Sequence, residues 1–313
     1  MALAVSGKTA IVTGAGSGIN LCFAKLLLEN NCNVLFADLA LRPEAQAVVD
    51  SYTRTDTTSS GARAVFQKTD VTDWTQLERM FTAAEAAFDS PIDIVCPGAG
   101  VYEPLFSNFW QPPGSTKSAD APDGSRYATL DINVTHPIRA TQLAIAHFAK
   151  HKRPGVVVHI SSIAAQSPLL SCPLYVASKS AVSNFVRSLA ALESPPPATG
   201  LKPVRVVAVA PGIIKTPLWT EHPEKLAWLD EDKDEWVAPE EVAEVMLRVV
   251  QEKEYVGGTV VEVGKSQTRK VTVRNDPGPS GAGHTVENIA QGYREVWGWL
   301  AQDGWGQTKG KTV

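Results

Sequence analysis

A parallel, doubly wound α/β sheet is the fold this sequence predicts, and three observations predict it. Short β-branched runs alternate with longer helical patterns along most of the chain. The runs are apolar on both faces, as strands buried between two helix layers must be. The first run also feeds directly into a glycine-rich turn, TGAGSGI at 13–19, the junction a strand–turn–helix unit requires.

TAIVT (9–13) is the first expected strand, a helical stretch near 19–30 follows, and NVLFA (33–37) is the second strand. This βαβ unit imposes parallel pairing. Further strands are expected at RAVFQ (63–67), IDIVC (92–96), GVVVHI (155–160), VRVVAVA (204–210) and TVVEV (259–263), with helical patterns between most of them. The expectation is therefore a seven-stranded, Rossmann-type parallel sheet flanked by helices. No repeat or second domain interrupts it, so 1–264 reads as one domain and 265–313 as a C-terminal extension.

Three segments break the rhythm. Residues 102–126 are rich in Pro, Gly and Ser and too long for an ordinary connection. Residues 212–237 lack clear periodicity and carry Trp219, Trp228 and Trp236, whereas RNDPGPSGAGH (274–284) reads as a flexible linker. Beyond it Val286, Ile289, Ala290, Tyr293, Val296, Trp297 and Leu300 recur at helical spacing. A tail helix over 285–300 would bury that face on its own subunit, over a partner's site or in an oligomer contact.

Composition narrows the function classes. The chain has 313 residues, 44% of them hydrophobic, enough for a sizeable core. Its formal net charge of −4 has no basic block behind it, whereas nucleic-acid binding needs clustered Lys and Arg. A small-molecule partner is expected instead. Cys22, Cys32, Cys96 and Cys172 lack paired metal spacing, and a disulfide framework does not suit so large a core. No two of the six histidines are read as spaced like ligands, so no metal site is expected. MALAVSG runs straight into a strand pattern without the features of a signal peptide. No stretch approaches the roughly 20 apolar residues of a membrane span. A reducing, cytoplasmic setting without membrane attachment is the expectation.

In the turn after the first strand, Gly14, Gly16 and Gly18 let the backbone of Ser17, Ile19 and the helix start approach a pyrophosphate. The same glycines would serve a plain tight turn. Asp38 stands 20 residues after Gly18, at the end of the second strand, where a carboxylate accepts ribose hydroxyls. A 2′-phosphate there would meet like charge, and neither Ala37 nor Leu39 is a cation. NAD(H) is therefore expected over NADP(H), although Arg42 is near enough to swing in. Helix capping is the other reading of Asp38.

In YVASK (175–179) the spacing i, i+4 puts Tyr175 and Lys179 on one helix face. A cation about 4 Å from a developing phenolate is worth about 4 kcal/mol at an effective dielectric of about 20. That would pull a phenol well below its ordinary pKa of about 10, until burial opposes it. Upstream, ISS (160–162) places Ser161 and Ser162 at the carboxyl edge of the sheet, where doubly wound folds bind ligands.

At this point the chain resembles the short-chain dehydrogenase/reductase family over about 7–264. The motifs that carry the resemblance are TGAGSGI, Asp38, DV (70–71), PGAG (97–100), Asn133, ISS, YVASK and PGIIKT (211–216), in order and with family-like spacing. The stretch from PVRVVAVAPGIIKT to GGTVVEV looks most like the hydroxyprostaglandin dehydrogenase-like branch. Loop 102–126 looks longer than in the prostaglandin enzymes, so prostaglandins are not assumed as substrate.

The resemblance implies that Tyr175 is the general acid/base, that Ser162 hydrogen-bonds the substrate oxygen and that Asn133 anchors a water relay. Lys179 would lower the Tyr175 pKa and hold the nicotinamide ribose, and Ser161 would be structural. Asp70 and Val71 would contact adenine. Gly98, Ala99 and Gly100 with Pro211, Gly212, Ile214 and Thr216 would complete the cofactor site. Each has a plainer reading, such as Asp70 as a cap, Asn133 as a satisfied core amide or Thr216 as a turn residue. A homodimer or homotetramer built on helices near 135–150 and 175–193 is also implied.

Two positions depart from the family pattern. Asn20 stands where a third glycine is usual, and Pro97-Gly98 replaces a pair of asparagines. Both bear on cofactor affinity, and neither removes a reacting group. Tyr102, Phe106, Phe109 and Trp110 of the first irregular segment would line an apolar pocket or an oligomer contact, and the second segment falls where the family places its substrate lid. Cys172 either faces that pocket or is a buried, inert thiol. The expected activity is the NAD(H)-dependent interconversion of a secondary alcohol and a ketone on an apolar, polyketide-like small molecule. A catalytically silent NAD-binding scaffold or sensor, and a non-redox dehydratase or epimerase, are the alternatives.

Overall fold

The computed structural model describes residues 1–53, 61–227, 229–230, 233–273, 289–302 and 305. Trp228, Val286 and the linker 274–284 therefore lie outside the described residues. The chain alternates β1 (Thr9–Thr13), α1 (Gly18–Glu29), β2 (Asn33–Asp38), α2 (Pro43–Tyr52), β3 (Ala64–Lys68), α3 (Trp74–Phe88) and β4 (Ile94–Pro97). After the long loop come α4 (Ala128–Leu130), a π-helical turn (Asp131–Thr135), α5 (His136–Lys150), β5 (Gly155–Ile160) and α6 (Pro173–Ser188). The remainder is β6 (Val204–Pro211), α7 (Pro217–Thr220), α8 (Pro223–Leu226), α9 (Pro239–Gln251), β7 (Val260–Gly264), β8 (Gln267–Lys270) and α10 (Ile289–Leu300).

The strand order is β3-β2-β1-β4-β5-β6-β7-β8. Strands β1 to β7 pair in parallel. Because side chains alternate across a strand, Ala10 and Val12 face one core while Ile11 faces the other. The first core is closed by α1, α2 and α9, through residues such as Phe23, Val49 and Met246. The second is closed by α3, α5 and α6, through Leu77, Phe148 and Val186. Strand order reverses between β1 and β4, which opens a crevice at their carboxyl ends.

The sheet differs from the seven-stranded expectation by one element. β8 pairs antiparallel with β7 at the edge. Its four residues, QTRK, are all exposed, so no apolar alternation marks it in the sequence. Arg269 and Lys270 put charge on that edge, which discourages pairing with a further chain.

The tail helix docks on its own subunit. Leu300 is buried in the second core and Trp297 packs against it, beside Phe148 and Val204. Those residues mark the end of α5 and the start of β6, the edge of the sheet opposite the crevice. Among the described residues, Trp297, Leu300 and Trp305 of the tail therefore pack away from the crevice.

Candidate active site

The site is built on two turns at the switch point. After β1, Gly14 adopts φ +72°, and its N–H donates to the Ala37 carbonyl at 2.8 Å. Gly16 approaches β2 so closely that its N–H donates to Asp38 Oδ2 at 2.7 Å, and a Cβ there would lie 2.4 Å from the Ala40 carbonyl oxygen. Leu39 N–H donates to Asp38 Oδ1 at 2.7 Å. The Asp38 carboxylate is thus held by two backbone donors at the rim of the cleft. Helix α1 begins at Gly18 with no side-chain cap from Ser17 and no acidic residue in its first turn. Its N-terminal donors and dipole suit an anion.

The second turn follows β4. Ala99 N–H donates to Thr13 Oγ1 at 3.1 Å, and Thr13 Oγ1 lies 3.1 Å from His136 Nε2. His136 Nδ1 lies 3.0 Å from the Ile132 carbonyl. A carbonyl can only accept, so Nδ1 carries the ring proton and Nε2 accepts from Thr13. Burial pulls the His136 pKa down to about 4, so the imidazole is neutral and this chain keeps one direction. Nothing in the sequence pattern singled out Thr13 or His136 for this task. On the other side, Asn20 Nδ2 donates to the Gly98 carbonyl at 2.9 Å.

Between the turns lies a cleft of about 310 Å³. Gly14, Ser17, Gly18, Ile19 and Asp38 line it, as do Asp70, Val71, Gly98, Ala99 and Gly100. Tyr175, Lys179 and Thr216 complete it from the other side. Of the remaining expected cofactor residues, Gly16 is buried behind the turn. Pro211, Gly212 and Ile214 line an adjoining cavity instead. Asp70 also forms a turn, since its Oδ1 accepts from Thr72 N–H at 2.9 Å and Thr72 Oγ1 at 2.8 Å. The actual cap of α3 is Asp73.

Of the four expected reacting residues, Tyr175 and Lys179 line the cleft, Ser162 lines the adjoining cavity with Tyr175, and Asn133 stands behind Gly100. Tyr175 and Lys179 sit in the first turns of α6, 8% and 6% exposed. Lys179 Nζ donates to the Ile160 carbonyl at 2.9 Å and lies 5.5 Å from the Tyr175 ring centroid. Burial pulls the ammonium down to about 8. The Tyr175 phenol is pushed up to about 12 by burial, against a lowering contribution from its hydrogen bond with Ser162. Burial therefore sets the net direction for Tyr175, as the opposing effect expected against any lowering by Lys179.

Ser162 starts a 3-10 turn and accepts the Ala164 N–H at 3.1 Å. Ser161 turns away, donating to the Lys179 carbonyl at 3.1 Å and sharing a hydrogen bond with Ser183 at 2.7 Å. Asn133 lies in the π-helical turn, a distortion that recurs at functional sites. Its Nδ2 donates to the Val101 carbonyl at 2.8 Å and to Ser178 Oγ at 3.2 Å, while Oδ1 accepts Val101 N–H at 2.9 Å. Both amide protons are thus committed to the scaffold.

Beyond Tyr175 an apolar cavity of about 200 Å³ is lined by Tyr102, Leu169, Ile214, Leu218 and Trp219. Tyr102 packs edge-on against Tyr175 at 4.5 Å between centroids, and a chain of rings continues to Trp219 at 5.1 Å and on to Trp236 at 6.0 Å. Of the other loop aromatics, Phe106, Phe109 and Trp110 are exposed rather than buried in this wall. Cys172 Sγ lies 3.7 Å from the Tyr102 hydroxyl, and burial raises its thiol pKa, as suits an unreactive cysteine. Glu103, 1% exposed, carried no motif and escaped sequence reading. Its Oε2 accepts Tyr175 N–H at 2.8 Å, and Oε1 accepts Phe109 N–H at 3.0 Å.

One histidine spacing was misread. His147 in the last turn of α5 and His151 just past its end meet Glu85 of α3 within 4.8 Å. His151 Nε2 lies 2.8 Å from Glu85 Oε1. Ile92 N–H donates to His147 Nε2 at 2.9 Å, so the other ring nitrogen keeps its proton. Metal ligation through that nitrogen would have to displace a proton from a histidine whose buried bond depends on it. The cluster reads as a polar contact between Glu85 of α3 and the two rings at the end of α5.

A doubly wound sheet with an anion-receptive turn, a carboxylate at the end of β2 and a buried Ser–Tyr–Lys set defines a nicotinamide-dependent oxidoreductase of the short-chain type. The family model described as short chain dehydrogenase matches residues 8–227, and the chain belongs to that family, on its hydroxyprostaglandin dehydrogenase-like branch. The 15-hydroxyprostaglandin dehydrogenase [NAD(+)] of Rattus norvegicus is 30% identical over 216 residues, 68% of this chain and 71% of the relative. The cis-4-hydroxycyclohexanecarboxylate dehydrogenase of Sinomonas cyclohexanicum is 31% identical over 220 residues, covering 70% and 78%. A short-chain type dehydrogenase/reductase from Mycobacterium marinum shares the fold, with a TM-score of 0.66 at 22% identity over 83% of this chain and 94% of that one. An NADPH-dependent 3-quinuclidinone reductase from Rhodotorula rubra does so too, at 0.64 and 19%, covering 83% and 91%. Among the described residues no helix is long and apolar enough to cross a membrane.

Proposed function

We propose that the protein interconverts a secondary alcohol and a ketone on an apolar small molecule, with NAD(H) as cofactor and Tyr175 as general acid/base. One observation carries this reading: Tyr175 lines both the cleft and the apolar cavity, so this buried phenol stands where the two places for reactants adjoin.

The cleft suits a dinucleotide because the glycine turn with Gly14 and Gly18 lines it and because the α1 N-terminus has no side-chain cap competing with a pyrophosphate. Asp38 would hold the adenosine ribose, Asp70 and Val71 the adenine, and Lys179 the nicotinamide ribose. A bound nicotinamide supplies the hydride acceptor or donor. Preference for NAD(H) follows from the Asp38 charge and from Arg42, which is engaged by Glu221 at 2.6 Å instead of standing ready for a 2′-phosphate.

Tyr175 gives its proton to the carbonyl oxygen in reduction and takes the hydroxyl proton in oxidation. Ser162 orients that oxygen through its hydroxyl. Lys179 lowers the cost of the transient phenolate by charge. Since both amide protons of Asn133 are committed, any water relay it anchors would run through its main chain. The apolar wall of Tyr102, Leu218 and Trp219 favours a compact, apolar or ring-bearing substrate. Family membership supports a homodimer or homotetramer, which light scattering would measure.

A panel of secondary alcohols with NAD+ and of ketones with NADH, followed at the reduced-nicotinamide absorbance, tests this function. Turnover of a member is the expected result. Substrate conversion without net change in the cofactor would favour dehydration or epimerisation, and cofactor binding without any conversion would favour a sensor.

A further inference from the structure

We infer that Asn20 is a cofactor-positioning residue, a brace between the two cofactor-binding turns whose place depends on glycine at both 14 and 98. The two departures from the family pattern are then one coupled exchange. Carboxamide bulk missing from the 97–100 turn is supplied from across the cleft floor by helix α1.

The packing carries the inference. Asn20 Nδ2 donates to the Gly98 carbonyl at 2.9 Å, which ties the start of α1 to the turn after β4. A Cβ on Gly98 would lie 2.2 Å from Asn20 Oδ1, and one on Gly14 would lie 2.9 Å from Asn20 Nδ2. Real Cβ atoms do not approach so closely, so Asn20 occupies the space that a side chain at Gly98 would need and, together with Ala99 Cα at 2.8 Å, the space that one at Gly14 would need. The same turn is held from its far side by Thr13 through Ala99 N–H at 3.1 Å. Asn20 itself lines the cleft, with Asp38 and Asp70 and with Tyr175 and Lys179. Loosening it would misplace the turn under the middle of the cofactor while leaving the adenine end alone.

The inference rests on the cleft being a nicotinamide site, and a cycle of three variants tests both levels. Gly98→Ala alone should weaken NAD+ binding at least ten-fold and lower the melting temperature, because its methyl collides with Asn20. Asn20→Gly alone should weaken NAD+ about five-fold to ten-fold, by loss of one hydrogen bond and the volume behind it. In the double variant the methyl has room, so the two losses should be strongly non-additive, with NAD+ affinity close to that of Asn20→Gly. Asn20→Asp keeps the volume and turns a donor into an acceptor facing a carbonyl. It should weaken NAD+ about ten-fold while 5′-AMP, which needs only the adenine end, binds within about two-fold of wild type. General destabilisation would weaken both ligands together.

Additive losses in the cycle, with wild-type NAD+ binding intact, would overturn the brace and leave the cofactor reading standing. Equal weakening of AMP and NAD+ by Asn20→Asp would overturn its positioning role. A wild-type protein that binds neither NAD+ nor NADP+ would overturn the reading of the cleft itself, and the cofactor role of Asn20 with it.

Discussion

Glu103 accepts the backbone N–H of Tyr175 at 2.8 Å through one oxygen and that of Phe109 at 3.0 Å through the other. One buried carboxylate therefore holds both the first turn of α6 and the start of the long loop, and its charge sits at the positive end of that helix. Glu103→Gln keeps the shape but exchanges one charged acceptor for a donor. We predict a fall in kcat of about ten-fold, the loss typical of one charge-assisted bond, with NAD+ affinity unchanged. Unchanged kcat under saturating substrate would show that the loop and the helix are held by other contacts.

The pH profile should separate the two directions. Burial holds Tyr175 at about 12 and Lys179 at about 8. Tyr175 is then protonated across the neutral range, ready to donate, while Lys179 loses its charge as pH rises through about 8. Ketone reduction should be level through neutrality and fall above about pH 8, and alcohol oxidation should rise with pH as the base form becomes populated. A reduction rate that stays flat well above pH 8 would remove Lys179 from the reaction.

Asp38→Asn tests the cofactor preference. The substitution keeps an acceptor near Gly16 N–H but removes the charge that repels a 2′-phosphate. NADP+ affinity should rise about ten-fold or more, with a smaller loss for NAD+. Wild-type protein that already binds both dinucleotides equally by titration would contradict the role given to Asp38.

Acid should destabilise the fold before most carboxylates protonate. Burial lowers His136 to about 4, and His147 and His159 to about 3, from about 6.5. Below pH 6.5 the unfolded chain takes up these protons first, so stability present above that pH is lost as pH falls toward 4. Each unit of separation is worth about 1.4 kcal/mol. Urea midpoints measured from pH 7 to pH 4 should fall steeply, and His159→Gln should flatten the slope. A flat midpoint over that range would mean that these rings are not buried neutral in solution.

The parallel strands and the glycine turn after β1 were legible because β-branched runs and closely spaced glycines leave a regular pattern in the sequence. β8 was not, since an exposed polar edge strand is defined only by its partner. For Tyr175 the sequence placed Lys179 one turn away, but the burial that pushes the phenol up depends on residues as distant as Tyr102 and Trp219. Glu103 acts on the site through backbone N–H groups and His136 through the hydroxyl of Thr13, and neither kind of partner leaves a mark in a motif. Asn20 and Gly98 stood out singly as departures. Their mutual fit needed the distance between two turns far apart in the chain.

The most direct measurement is the turnover of Tyr175→Phe with its cofactor affinity determined on the same sample. That substitution removes one hydroxyl and leaves the ring packed against Tyr102. Loss of at least about a hundred-fold in kcat, with NAD+ affinity within about two-fold of wild type, is the predicted result. Near wild-type kcat would contradict the assignment of proton transfer to Tyr175.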